Sequence, residues 1–131
     1  MFKTEDIEID VDLSPGIYYL DSDSAVGKTR LLKLAVKLKD MGYPVSGYIY
    51  SDHKKGVPVS IMEDSDRLIV IDRYDMYPGE LNERLLQLKD SAVILVDCKR
   101  KYAGLKGNIR GEAEVIMESA MKIKVEGFEY E

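Results

Sequence analysis

Gly27, Lys28 and Thr29 close the stretch "SDSAVGKT" (Ser22–Thr29), and these three residue types can handle a polyphosphate. A glycine lets backbone approach a phosphate oxygen because no Cβ holds it off. A lysine adds a mobile positive charge, and a threonine hydroxyl is a hard oxygen ligand suited to Mg2+. The stretch follows a short apolar run, "IYYLD" (17–21), and leads into Leu31, Leu34, Ala35, Leu38 and Met41, spaced at three and four. It therefore joins a strand to the start of a helix, where unpaired N–H groups and the positive end of the helix dipole favour an anion. Carboxylates end three further apolar runs: Asp52 after "GYIYS", Asp72 after "RLIVI" and Asp97 after "AVILV".

The elements that must position these groups follow from periodicity. "DIEIDVDL" alternates, with Ile7, Ile9, Val11 and Leu13 on one side, which predicts a half-buried antiparallel edge strand. The helical spacing predicts a helix over 27–41, with Lys33, Lys37 and Lys39 on its wet side and Gly42 and Pro44 ending it. A strand is expected at 45–51 and a turn region in "HKKGVPVSIMEDSD". The continuous apolar runs at 67–72 and 92–97 predict strands buried on both faces, separated by a helix in "PGELNERLLQLKD". "AEVIMES" and "MKIKVEGFEY" read as a closing hairpin. Alternating strands and helices predict one α/β domain over 1–131, a mainly parallel sheet flanked by helices, with antiparallel edge strands at the termini. Ligands of such sheets sit beyond the carboxyl ends of the strands, where Ser22–Thr29, Asp52, Asp72 and Asp97 all fall.

"SDSAVGKT" resembles the Walker A loop of P-loop NTPases, G-x-x-x-x-G-K-[ST], with Ser22 in place of the first glycine. It differs only in that letter from the "GDSAVGKT" loop of Rab-like small GTPases. The likeness to GTPases ends there. Asp72 opens "DRYD" where a D-x-x-G switch would stand, and Asn82 and Asn108 lie in "NERL" and "NIRG", not in a guanine-reading N-K-x-D. Over roughly residues 17–125 the order of elements better resembles the ATPase branch with an extra strand before Walker B, to which AAA+ and RecA-like proteins belong.

That resemblance implies ATP and Mg2+ as cofactors. Ser22, Asp23, Ser24, Ala25, Val26, Gly27, Lys28 and Thr29 would cradle the phosphates, with Lys28 on the β- and γ-phosphates. Thr29 and Asp72 would hold Mg2+. Asp52 would activate water, with His53 and Asp75 as further candidates, and Asp97 would take a polar sensor position. The implied function is a slow or partner-stimulated Mg-dependent ATPase with a P-loop NTPase-like fold. Two other classes stay open. One is a degenerate, non-hydrolysing scaffold for protein interaction, favoured by Ser22, by Arg73 where many AAA+ proteins have Glu, and by the short chain. The other is a small-molecule kinase with residues 99–110 as its lid.

The composition, 45% hydrophobic and 33% charged, is that of a soluble globular domain of 131 residues. No apolar run is long enough to cross a bilayer, and the acidic start "MFKTEDIEID" lacks a signal peptide's apolar core, so a cytoplasmic protein away from membranes is expected. The one cysteine, Cys98, and one histidine, His53, cannot form an internal disulfide or a structural zinc site. Lys99–Arg110, "KRKYAGLKGNIR", carries five basic residues and no acidic one, so a chain of net charge −5 carries −10 elsewhere. The acidic body argues against coating nucleic acid, while the basic segment is compatible with a DNA contact. A bare ATPase core would also call for a protein partner or a homo-oligomer.

Overall fold

The structure, a computed structural model, describes residues 2–20, 25–49, 63–74, 80–98, 105 and 107–130, with the backbone alone at 25, 26 and 80. The elements in chain order are β1 (Phe2–Lys3), β2 (Glu8–Val11), β3 (Gly16–Leu20), α1 (Ala25–Asp40), β4 (Val45–Tyr48), β5 (Leu68–Ile71), α2 (Glu80–Leu88), β6 (Val93–Val96), β7 (Ile109–Ser119) and β8 (Lys122–Glu129). All eight strands belong to one sheet, in the order β1-β2-β8-β7-β3-β6-β5-β4.

The four-residue strands β5 and β6 are the sheet's centre of gravity. Every residue in both is buried, and they pair in parallel from Leu68–Val93 to Ile71–Val96. Alternate side chains serve opposite faces. Leu68, Val70, Val93 and Leu95 meet Leu31, Leu34, Ala35 and Leu38 of α1. Ile69, Ile71, Ile94 and Val96 meet Leu81, Leu85 and Leu88 of α2. Each helix thus inserts one apolar stripe, which explains the three-and-four spacing of its leucines.

Helix α1 ends as its sequence demands. Gly42 adopts a left-handed φ of 89°, Tyr43 N–H donates to Leu38 C=O at 3.0 Å, and the Tyr43 ring packs back on the cluster that contains Leu38. This is a Schellman stop, and a glycine supplies its left-handed residue without strain.

The expected mainly parallel sheet flanked by helices, P-loop NTPase-like in class, is corrected by the fold. The described chain is mostly strand, with two helices of 16 and 9 residues against eight strands, and the sheet is mixed and curled into a half-barrel. β3 through β7 pair in parallel, but β7 and β8 form a long antiparallel hairpin and β1 pairs antiparallel with β2. The alternating stretch at the N-terminus is not an antiparallel edge. β2 pairs in parallel with β8 and is flanked on its other side by β1. Among the described residues, helices cover both faces of the sheet only where it is built from the alternating middle of the chain. The hairpin and the N-terminal strands lay their inner side chains, Ile9, Val115, Ile123 and Val125 among them, on the α1 core and present the other face outwards.

Candidate functional site

Three residues singled out by the sequence lie at the carboxyl ends of neighbouring parallel strands, and two of them, Lys28 and Asp97, are in contact. β3 lies beside β6, and β6 beside β5. Asp97 is the first residue after β6, Asp72 the first after β5, and Lys28 lies in the first turn of the helix that follows β3. Because Ile71 and Val96 are in register, the two aspartates stand level.

The local backbone is pinned. Asp97 N–H donates to Ile71 C=O at 2.9 Å, Asp72 N–H to Tyr48 C=O at 2.9 Å, and Tyr74 N–H to Asp97 C=O at 2.7 Å. The turn after Asp72 therefore folds over the end of β6. It does so through Arg73, which holds a left-handed φ of 49°. A non-glycine residue in that region stores about 1 kcal/mol or more, a cost that concentrates at functional turns.

Lys28 Nζ lies 2.8 Å from Asp97 Oδ1, and both side chains are largely buried, at 12% and 19% exposure. A charge-assisted hydrogen bond of this length is among the stronger polar contacts a protein makes. The two residues are 69 positions apart, and nothing in the periodicity joins them. Their pairing follows from the adjacency of β3 and β6. Gly27 is buried, Thr29 is exposed, and Asp72 is half-buried.

The donor set suits a magnesium–polyphosphate. A helix N-terminus, one ammonium, one hydroxyl and strand-end carboxylates lie within one corner of the sheet. Among the described residues no three carboxylate, histidine or cysteine side chains gather to hold a metal alone. Mg2+ carried by a nucleotide asks for only one or two protein ligands, the phosphates and water supplying the rest.

Several expected site residues cannot be placed. Ser22, Asp23 and Ser24 lie outside the described residues, as do Asp52, His53 and Asp75 and residues 99–104 and 106 of the basic segment. Ala25 and Val26 open α1, with only their backbone described. Two features were invisible in the sequence: the left-handed turn at Arg73 and the buried partner of Lys28.

No family model, curated protein or solved structure matches this chain. Among the described residues no helix is long and apolar enough to cross a membrane.

Proposed function

We propose that this chain binds ATP with Mg2+ at the carboxyl ends of β3, β5 and β6 and hydrolyses it slowly, or faster when a partner completes the site. The observation that carries the reading is the position of Lys28: first turn of the helix after β3, its ammonium against Asp97 and one strand from Asp72. Ser22–Thr29 would present backbone N–H groups and Lys28 to the phosphates. Thr29 and Asp72 would hold Mg2+, which supplies charge neutralisation at the triphosphate. Binding would exchange Lys28 from Asp97 to phosphate. The freed Asp97 carboxylate would then accept a hydrogen bond from water near the terminal phosphate.

The same ion pair favours one alternative. A lysine already neutralised by Asp97 is what a non-hydrolysing scaffold could retain for stability alone. Calorimetric titration of ATP with Mg2+ into the wild type, Lys28→Ala and Asp97→Asn separates the two. The ATP reading expects binding in the wild type and a loss of about 2 kcal/mol, some thirtyfold, in Lys28→Ala. It expects equal or tighter binding in Asp97→Asn, because phosphate no longer competes with a carboxylate. No heat in either the wild type or Asp97→Asn would leave the scaffold.

A further inference from the structure

The outer face of β2, β8 and β7 is acidic and aromatic, and neither helix covers it. Asp12, Glu112, Glu114, Glu126 and Phe128 line a cavity of about 430 Å³ there. The register makes the arrangement regular. Glu114 stands directly opposite Glu126, and Asp12 follows Val11, the partner of Val125, so three carboxylates form a row across three neighbouring strands. In the next row Glu112 stands opposite Phe128 and beside Tyr19. Phe128 is 59% exposed, and its ring meets Tyr130 edge to face at 6.1 Å. Burial, and next the charge of Glu112, push the Tyr130 phenol above its ordinary range, so this ring lies in the field of the carboxylates.

Two aspects of this face call for an occupant. Like charges placed directly opposite on adjacent strands are destabilising, yet Glu114 and Glu126 are so placed; Lys124 lies 3.4 Å from Glu126, and it and Lys122 stand further along the same face opposite Asp10 and Glu8, away from the Glu114 row. A large exposed aromatic beside them adds apolar surface that water serves poorly.

The chemistry of the occupant follows from spacing and sign. The carboxylates are spread across strands about 5 Å apart, and they do not converge as a metal-holding group. Several cations in series fit such a row, and one ion does not. Anionic nucleic acid and anionic lipid are repelled. The aromatic pair offers a ring face to a guanidinium or ammonium. We infer that the outer face of β2, β8 and β7 docks a lysine- and arginine-bearing segment of a partner protein, with the Asp12, Glu126 and Glu114 row taking its charges and Phe128 its side-chain stems.

This inference is independent of the nucleotide reading, since it uses none of the residues at Lys28. The test titrates a fluorescent nine-residue peptide of alternating arginine and glycine into the protein at low salt, with an alternating glutamate–glycine peptide as control. Backbone amide shifts are followed in parallel. The expected result is saturable binding of the arginine peptide alone, with shifts concentrated in residues 112–128. Glu114→Gln with Glu126→Gln should weaken binding at least tenfold while raising the thermal midpoint, because the same change removes the repulsion within the hairpin. Phe128→Ala should weaken it severalfold. Full affinity in the double glutamine variant overturns the inference. So does equal competition by Mg2+ or spermine at matched charge, which would mark a diffuse acidic surface. Self-association abolished by the glutamine pair, with no peptide binding, would assign the face to a second copy of the chain and overturn it too.

Discussion

Two buried polar contacts govern the chemistry available to single residues. The first is the Lys28–Asp97 pair, whose worth to function is read by the titration proposed above. The second surrounds Asp66, which is fully buried, accepts a hydrogen bond from Ser46 Oγ at 2.5 Å and pairs with Lys39 at 3.1 Å. Tyr48 lies beside it. Burial pushes the Tyr48 phenol up to about 12; its hydrogen bond with Ser46 works against the shift, and the Asp66 and Glu63 charges add to it. The folded value thus lies above the ordinary 10.0 of an unfolded tyrosine. The neutral phenol is the form the fold favours, so this contribution is whole below pH 10 and is lost as pH rises towards 12. Two units correspond to about 3 kcal/mol. Urea unfolding at pH 9 and pH 12 should show the wild type losing about 2–3 kcal/mol more than Tyr48→Phe across that interval. Equal losses would show that Tyr48 titrates as it does in the unfolded chain.

At the level of elements, local pattern was a good guide and pairing was not. The leucine spacing placed α1 over 25–40 against an expected 27–41, and the continuous apolar runs located β5 and β6 to within a residue at each end. Those signals are local: a helix stripe and a doubly buried strand each leave their own period. The parallel pairing of β2 with β8 left none, because a period of two reports one buried face and says nothing of the neighbour's direction. β1, two residues long, is too short to carry a period. The hairpin β7–β8 was legible, but its closeness was not. A Cβ added at Gly127 would run into the Glu112 carbonyl oxygen, and one at Gly111 into that of Phe128, both backbone atoms that cannot turn aside. Gly127→Ala must therefore push the strands apart or bend them. It should destabilise the protein by at least about 2 kcal/mol, read as a lower urea midpoint, whereas alanine at Gly107, which has open space around its Cβ position, meets only the strain of its left-handed backbone. A silent Gly127→Ala would mean that the hairpin relaxes freely there.

For the whole molecule, the strand ends that carry Asp72 and Asp97 were legible in the sequence, while the pairing of the sheet was not. Lys28 meets Asp97, with Asp72 at the end of the next strand, because each follows a strand and β3, β6 and β5 are neighbours. The antiparallel pairs β1–β2 and β7–β8 join neighbours in sequence, whereas the parallel pair β2–β8 joins the chain's two ends, and that long-range contact is what local sequence does not encode. Those contacts have a thermodynamic consequence. One buried cluster takes in Ile9 of β2, Leu20 of β3, Leu38 of α1, Val70 of β5, Leu95 of β6 and Val125 of β8, so the half bearing the site shares its core with the half bearing the hairpin. A ligand that binds only the folded chain should then stabilise both together. At ATP·Mg2+ a hundredfold above its dissociation constant the gain is about 2.7 kcal/mol, or a rise in thermal midpoint of about 10 °C for a chain of this size. Hydrogen exchange should slow to the same extent in the slowest amides of β6, beside the site, and of β8, across the sheet. Lys28→Ala should remove both the thermal and the exchange effect without lowering the midpoint of the ligand-free protein by more than its lost ion pair. Protection confined to β6 would split the molecule into two cooperative units and locate the boundary between β3 and β7.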